Sequence, residues 1–191
     1  MRFIEAGPVG AYVIEPEELS DERGFFARVW CAREMEDQGL EASLAQASIA
    51  YNRRRGTLRG MHYQVPPHQE VKIVRCTAGA IFDAIVDLRP DSPTFLHVAH
   101  EVLSARNRKM LYVPRGFAHG YQTLEDDSEV FYQMSDFYTP GAEGGIRWDD
   151  PTLAIPWPDV EERIISDKDR ALPSFHRDLL DAHAGGGAPG A

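Results

Sequence analysis

The chain has 191 residues, 43% hydrophobic and 10% aromatic, with 20 lysines and arginines against 30 aspartates and glutamates for a net charge of −10. That length suits one globular domain, alone or with a tail. No apolar run approaches the roughly 20 residues of a membrane-spanning helix, the N-terminus lacks the apolar stretch of a secretory signal, and the acid excess argues against nucleic acid as a main partner. Cys31 and Cys76 form neither a disulfide framework nor a metal knuckle, so a soluble cytoplasmic protein is the expectation.

In chain order, short runs rich in Val, Ile, Phe and Tyr predict strands at 11–14, 25–30, 45–51, 56–63, 69–76, 80–88, 94–103, 109–113, 120–123 and 128–134. Gly56, Gly79, Pro90 with Asp91, 105–107 and 125–127 punctuate them. One short helix is expected at 32–38, stopped by Gly39. After Thr139 the sequence turns rich in Pro, Trp and acids, which predicts loops and short turns wrapping a barrel, and the Gly-rich run 185–191 reads as a flexible tail. Many short strands without helical periodicity imply an all-β sandwich or barrel. The expected organisation is a single domain over 1–175, then a short C-terminal segment over 176–191.

The charge is uneven. Between Arg53 and Arg75 six bases face one acid, Glu70, a net of +5 inside a chain of −10. Arg53, Arg54 and Arg55 fit a solvated surface run as well as a binding strip. Arg59 and Lys72 sit within apolar, strand-like sequence, where cations lining a cleft for an anionic ligand such as a diphosphate are the better reading. Four features carry candidate chemistry: His62 in Arg59-Gly-Met-His-Tyr-Gln64, Lys72 between Val71 and Ile73, His119 at the end of Pro114-Arg-Gly-Phe-Ala-His119, and Asp83. Asp83 shares a strand face with Ile81 and Ile85, so it is expected to point inward among apolar neighbours. Arg59 and His62 have opposite strand parity; both can face inward only if the chain bulges at Gly60.

The segment 56–64 (GTLRGMHYQ), Pro66-Pro67, Glu70-Val-Lys72 and 113–120 (VPRGFAHG) resembles the dTDP-4-dehydrorhamnose 3,5-epimerase family. So do 21–26 (DERGFF), 86–89 (VDLR), 92–94 (SPT) and 166–169 (SDKD), and the likeness runs in order from about residue 3 to Pro173. The resemblance implies an all-β, cupin-type jelly roll with a few short helices. It also implies a homodimer, a nucleotide-diphospho-sugar substrate and no metal or other cofactor in catalysis. Position by position, His62 matches the proton-abstracting base and Asp169 the carboxylate that orients it. Tyr132 matches the proton donor on the other sugar face, and Lys72 the residue beside the developing C4 oxyanion. His119 with Asp83 matches a second supporting pair. Arg23, Phe26, Arg59, Glu143 and Lys168 match ligand-contacting positions, and Tyr138 the aromatic that stacks on the nucleobase.

The residue types suit the reaction that the resemblance implies. Protons at C3 and C5 of a 4-ketosugar are acidified only by the carbonyl between them. A base must remove one, a cation must stabilise the enolate oxygen, and an acid must return a proton on the other face. Two positions depart from the family. Arg28 stands where a Glu is usual, and Gln46 is followed by Ala47 and Ser48 where an Asn is usual. A Glu can accept the N3–H of thymine, whereas an Arg can only donate, so either base selection is altered, for instance toward cytosine, or Arg28 contacts phosphate or a neighbouring subunit. Two other readings use the same residues. Epimerisation at C3 or C5 alone needs the same base and acid, and a metal-dependent cupin would use His62, His68, Glu70 and His119 as ligands, although the usual His-x-His pair is missing.

Overall fold

The computed structural model describes residues 1–180, whose regular structure is mostly strand. They run β1 (Arg2–Glu5), β2 (Tyr12–Glu15), β3 (Glu18–Asp21), β4 (Gly24–Ala27), β5 (Gln46–Asn52), β6 (Thr57–Gln64), β7 (Lys72–Ala78), β8 (Ala80–Asp87), β9 (Val98–Ser104), β10 (Met110–Val113), β11 (Phe117–Thr123), β12 (Ser128–Met134), β13 (Glu143–Gly145) and β14 (Ile164–Ile165). Two short helices, α1 (Ala32–Asp37) and α2 (Asp167–Arg170), complete the set. One sheet has the order β1-β2-β10-β7-β12-β5; the other has β13-β6-β11-β8-β9, with β14 parallel to β6. β3 and β4 form a separate antiparallel hairpin. The expected cupin-type jelly roll is therefore the observed architecture.

The two sheets meet through their apolar inner faces. Val13, Val74, Leu111 and Val130 of the first pack with Ile81, Ile85, Leu103 and Phe117 of the second. A second cluster, including Phe82, Ala84 and Val86, covers the outer face of the second sheet, and Phe175, Leu179 and Leu180 pack against it. That contact draws the start of the 176–191 segment onto the body; the Gly-rich stretch 185–191 lies outside the described residues. A third cluster seals the first sheet with α1, through Met35, Val71, Ile73 and Tyr112. All eight residues of β8 are buried because the strand is covered on both faces, which is why it reads as a near-continuous apolar run. Asp83, within the strand, and Asp87, at its end, are the polar exceptions, and they share the parity of Ile81 and Ile85.

All ten expected strands form, with shifted ends. The strand expected from Thr94 starts only at Val98, because the Ser92 and Thr94 hydroxyls donate to the buried Asp87 carboxylate and hold 92–97 as a turn. β1, β3, β13, β14 and α2 were not expected from the sequence. The last three fall where loops were expected; β13 and β14 are short strands completed by pairing with β6.

The bulge required at Gly60 is present. Arg59 pairs with Tyr121 and His62 with His119, three steps along β6 against two along β11. Gly60 has φ 130°, and a Cβ there would stand 2.5 Å from the Gly120 Cα. Only glycine fits this close approach of the two backbones. The extra residue turns Arg59 and His62 toward the same side.

Candidate active site

Inward side chains of both sheets line a cavity of about 500 Å³. The first sheet supplies Gln46, Ser48 and Ala50 from β5, Lys72 from β7, and Tyr132 and Met134 from β12. The second supplies Arg59 and His62 from β6 and His119 and Tyr121 from β11, while Ser166, Lys168 and Asp169 close one side. An adjoining cavity of about 320 Å³ shares His62, Lys72, Tyr138 and Lys168 and adds Glu143.

On one wall, His62 Nε2 lies 2.8 Å from Asp169 Oδ1. The other Asp169 oxygen accepts the Gly60 N–H at 3.3 Å. α2 sets Asp169 in place: its first turn is capped by Ser166, whose hydroxyl accepts the Asp169 N–H at 3.1 Å. Burial alone would raise the Asp169 carboxyl, but His62 and the Gly60 N–H outweigh it and hold the group below the ordinary carboxylate value.

On the facing sheet, the Tyr132 ring meets His119 edge-on at 6.1 Å between centroids and Tyr121 at 6.4 Å. Burial, then Tyr121 and Asp83, push its phenol well above the ordinary tyrosine value, with Arg59 opposing. His119 Nε2 is 2.6 Å from Asp83 Oδ1. The Lys72 ammonium is 3.1 Å from Glu70, whose other oxygen accepts from the Gln64 amide at 2.9 Å. Arg59 Nε donates to Asn52 Oδ1 at 3.0 Å. Tyr138 donates its hydroxyl to Glu143 at 3.0 Å, and Lys168 bonds the same carboxylate at 2.9 Å. The arrangement sets a carboxylate-backed imidazole and a high-pKa phenol on opposite sheets, with an ammonium group on the same cavity. It can take a proton from one face of a carbon acid and deliver one to the other.

A family model described as dTDP-4-dehydrorhamnose 3,5-epimerase matches residues 8–177. The chain belongs to the dTDP-4-dehydrorhamnose 3,5-epimerase family. The family's enzyme from Methanothermobacter thermautotrophicus is 42% identical over 171 residues, covering 88% of this chain and 91% of that one. The crystal structure of the Bacillus anthracis epimerase with TDP and pyrophosphate bound superposes with a TM-score of 0.87 at 41% identity, over 91% of this chain and 99% of that chain. The Legionella pneumophila enzyme in complex with dTDP-4-keto-L-rhamnose gives a TM-score of 0.87 at 35% identity, over 94% of this chain and 96% of that chain.

Within this epimerase the fold gathers His62, Lys72, Tyr132, Asp169, Gln46, Ser48, Arg59, His119, Tyr138 and Lys168 around the larger cavity, with Glu143 on the adjoining one. Asp83 is fully buried and reaches the cavity only through His119. Arg23, Phe26 and Arg28 are not brought to the cavity of their own chain. They lie on or just after the β3–β4 hairpin, where Arg23 pairs with Asp21 and Arg28 with Glu34 at 2.8 Å. The alternative metal ligands are each engaged elsewhere: His62 by Asp169, His119 by Asp83, Glu70 by Lys72 and Gln64, and His68 by Thr139 at 3.3 Å. Among the described residues no group of three His, Cys, Asp or Glu side chains converges on a metal position.

Sequence reasoning named Glu70 only as an alternative metal ligand, not as the partner of Lys72, and missed Asn52 and Tyr121. Each was accessible through strand parity: Glu70 precedes Lys72 by two, Tyr121 follows His119 by two, and Asn52 continues the even-numbered positions of β5 that line the cavity.

Proposed function

We propose that His62 and Tyr132 work as base and acid on opposite faces of a nucleotide-linked 4-keto-6-deoxyhexose, epimerising it next to the C4 ketone. With the His62 Nε2–H donated to Asp169, Nδ1 keeps its lone pair for the proton at C3 or C5. The electron pair released from that C–H bond moves into the C4 carbonyl, and Lys72 stabilises the resulting enolate oxygen, an effect on the order of 3 kcal/mol in comparable oxyanion sites. Tyr132 returns a proton from the other side, which inverts the carbon. Arg59 and Lys168 suit the diphosphate, and Tyr138 suits the nucleobase.

The single observation that carries this reading is the convergence of His62, Lys72 and Tyr132, from three different strands, on one cavity. The test is NMR of the product formed from dTDP-4-keto-6-deoxyglucose in heavy water. Deuterium at C3, C5 or both is expected and also tells single from double epimerisation; unlabelled, unchanged sugar would refute the reading. For the nucleobase, Arg28 already has a partner in Glu34, which supports dTDP. Calorimetric titration is expected to favour dTDP over CDP, UDP and GDP, and a CDP preference would reinstate altered base selection.

A homodimer accompanies this reading. β5 is an edge strand with Ile49 64% exposed, and the β3–β4 hairpin presents Leu19 at 71% and Phe26 at 69% exposure. A second copy covering these apolar faces would also give Arg23, Phe26 and Arg28 a route to a cavity. Sedimentation velocity is expected to give twice the mass of one chain. The free cysteines Cys31 and Cys76 fit a reducing, cytoplasmic compartment.

A further inference from the structure

Gln64 is buried and turns its amide nitrogen to three acceptors: the His68 carbonyl at 2.9 Å, Glu70 Oε2 at 2.9 Å and the Phe137 carbonyl at 3.2 Å. Its oxygen accepts the Thr139 N–H at 2.9 Å. One amide therefore clasps the chain on both sides of Tyr138 and, with the same nitrogen, one oxygen of Glu70. The other Glu70 oxygen faces the Lys72 ammonium at 3.1 Å, where the two side chains are only 9% and 16% exposed. Gln64 stands two residues beyond His62 on β6, and Lys72 opens β7 in the other sheet. Gln64, Glu70 and Lys72 thus form a polar bridge from the strand that carries the imidazole to the strand that carries the ammonium. Glu70 and Lys72 line both cavities.

The bridge answers a need of the reaction proposed above, on which the inference rests. A lysine is a point charge on a flexible four-carbon stem and does not fix its own direction. The ligand offers it two oxygen-bearing targets. The diphosphate is anionic throughout, whereas the C4 oxygen gains charge only as the enolate forms. An unrestrained ammonium would be drawn to the diphosphate, for which Arg59 and Lys168 already line the cavity. We propose that Glu70 is a positioning residue for catalysis, holding the Lys72 ammonium toward the C4 oxygen while Gln64 holds the Glu70 carboxylate. One N–H of the ammonium stays on Glu70, and two are left for the enolate oxygen. No bond is made or broken at Glu70, and no proton changes hands there. A carboxylate this close also subtracts from the field of the ammonium, so the arrangement helps turnover only where position outweighs field strength. Through Gln64 the same bridge anchors 137–139, so one side chain holds both the Tyr138 segment and the carboxylate that directs Lys72.

The test is a double-mutant cycle of Glu70→Gln and Lys72→Met in the full chain, assayed on dTDP-4-keto-6-deoxyglucose in heavy water. Calorimetric titration with dTDP counts the folded sites to which each rate is referred. A glutamine keeps the shape of Glu70 but has one acceptor oxygen where two donors, on Gln64 and Lys72, need one each. Glu70→Gln should lose about tenfold or more in kcat, the worth of one hydrogen bond between charged groups, while KM and dTDP affinity stay within about twofold. In the Lys72→Met background the same substitution should cost no more than about twofold, because the group that Glu70 positions is gone. A merely structural glutamate would cost the same in both backgrounds. An unchanged or raised kcat in Glu70→Gln, an equal loss in both backgrounds, or a loss of dTDP binding overturns the proposal. Full turnover in Lys72→Met removes the oxyanion role of Lys72, and a parent chain that makes no deuterated product removes the epimerase reading itself; the Glu70 proposal falls with either.

Discussion

Two histidine–carboxylate pairs stand side by side in this molecule, and burial sets them apart. His62 and His119 are cross-strand partners on β6 and β11, and each sets its Nε2 against an aspartate, at 2.8 Å to Asp169 and 2.6 Å to Asp83. The His62 side chain is 41% exposed with its aspartate at 6%, whereas His119 is 5% exposed and Asp83 wholly covered. The open edge of His62 is what the proposed proton exchange with a bound sugar requires. A ring that shows the cavity only a small part of its surface can brace its neighbours, here the edge of Tyr132. The two pairs thus share their chemistry and differ in burial, with the Gly60 bulge setting His62 on the same cavity as His119.

The sharpest way to break this comparison is His62→Asn. We expect kcat to fall by about 10²–10⁴-fold, the usual worth of a positioned base, with the thermal midpoint close to that of the parent. The matching change on the other pair, His119→Ala, should act first on stability. It strips the Asp83 carboxyl of its partner; the second oxygen, Oδ2, already has none among the described residues. Leaving that group buried and unpaired is worth about 3 kcal/mol, readable as a lowered midpoint in urea. Should His119→Ala remain as stable as the parent while losing turnover as completely as His62→Asn, the two pairs share one role and the distinction fails.

How much of this was legible in the sequence depends on whether a feature is set by local periodicity or by pairing across the fold. The period-2 pattern of β8 put Asp83 inside with Ile81 and Ile85, and the parity conflict between Arg59 and His62 demanded a bulge at the one glycine between them. Both are local facts, and both hold in the structure. α2 was missed because four polar residues after a serine look the same as a loop until the Ser166 cap and the His62 contact are seen together. Tyr121 and Asn52 lie on recognisable inward positions, yet their importance comes from meeting each other across 69 positions of sequence. The hairpin residues Arg23, Phe26 and Arg28 are legible only through family resemblance, since nothing in their own chain brings them to the cavity.

The same contrast between an open and a sealed site extends to acid stability, where the effect is smaller and its sign is fixed. Asp169 beside the cavity and Asp87 in its sealed turn are both held below the ordinary carboxylate value. Burial pushes each upward. His62 and the Gly60 N–H overcome it at Asp169, and Arg89, Ser92 and Thr94 overcome it at Asp87. A carboxyl depressed in the folded state contributes stability above its unfolded value, about 3.9, and loses it as pH falls through the lowered folded value. Urea midpoints should therefore be flat near neutrality and decline below about pH 4. Asp87→Asn should lower the neutral plateau and flatten that decline, since the carboxylate accepts five hydrogen bonds from Arg89, Ser92 and Thr94. Asp169→Asn should also flatten it while cutting turnover, because the amide no longer fixes the His62 tautomer. A decline of unchanged steepness in both variants would mean that other carboxylates govern acid unfolding, and that the depressed values at these two positions are offset in the unfolded chain.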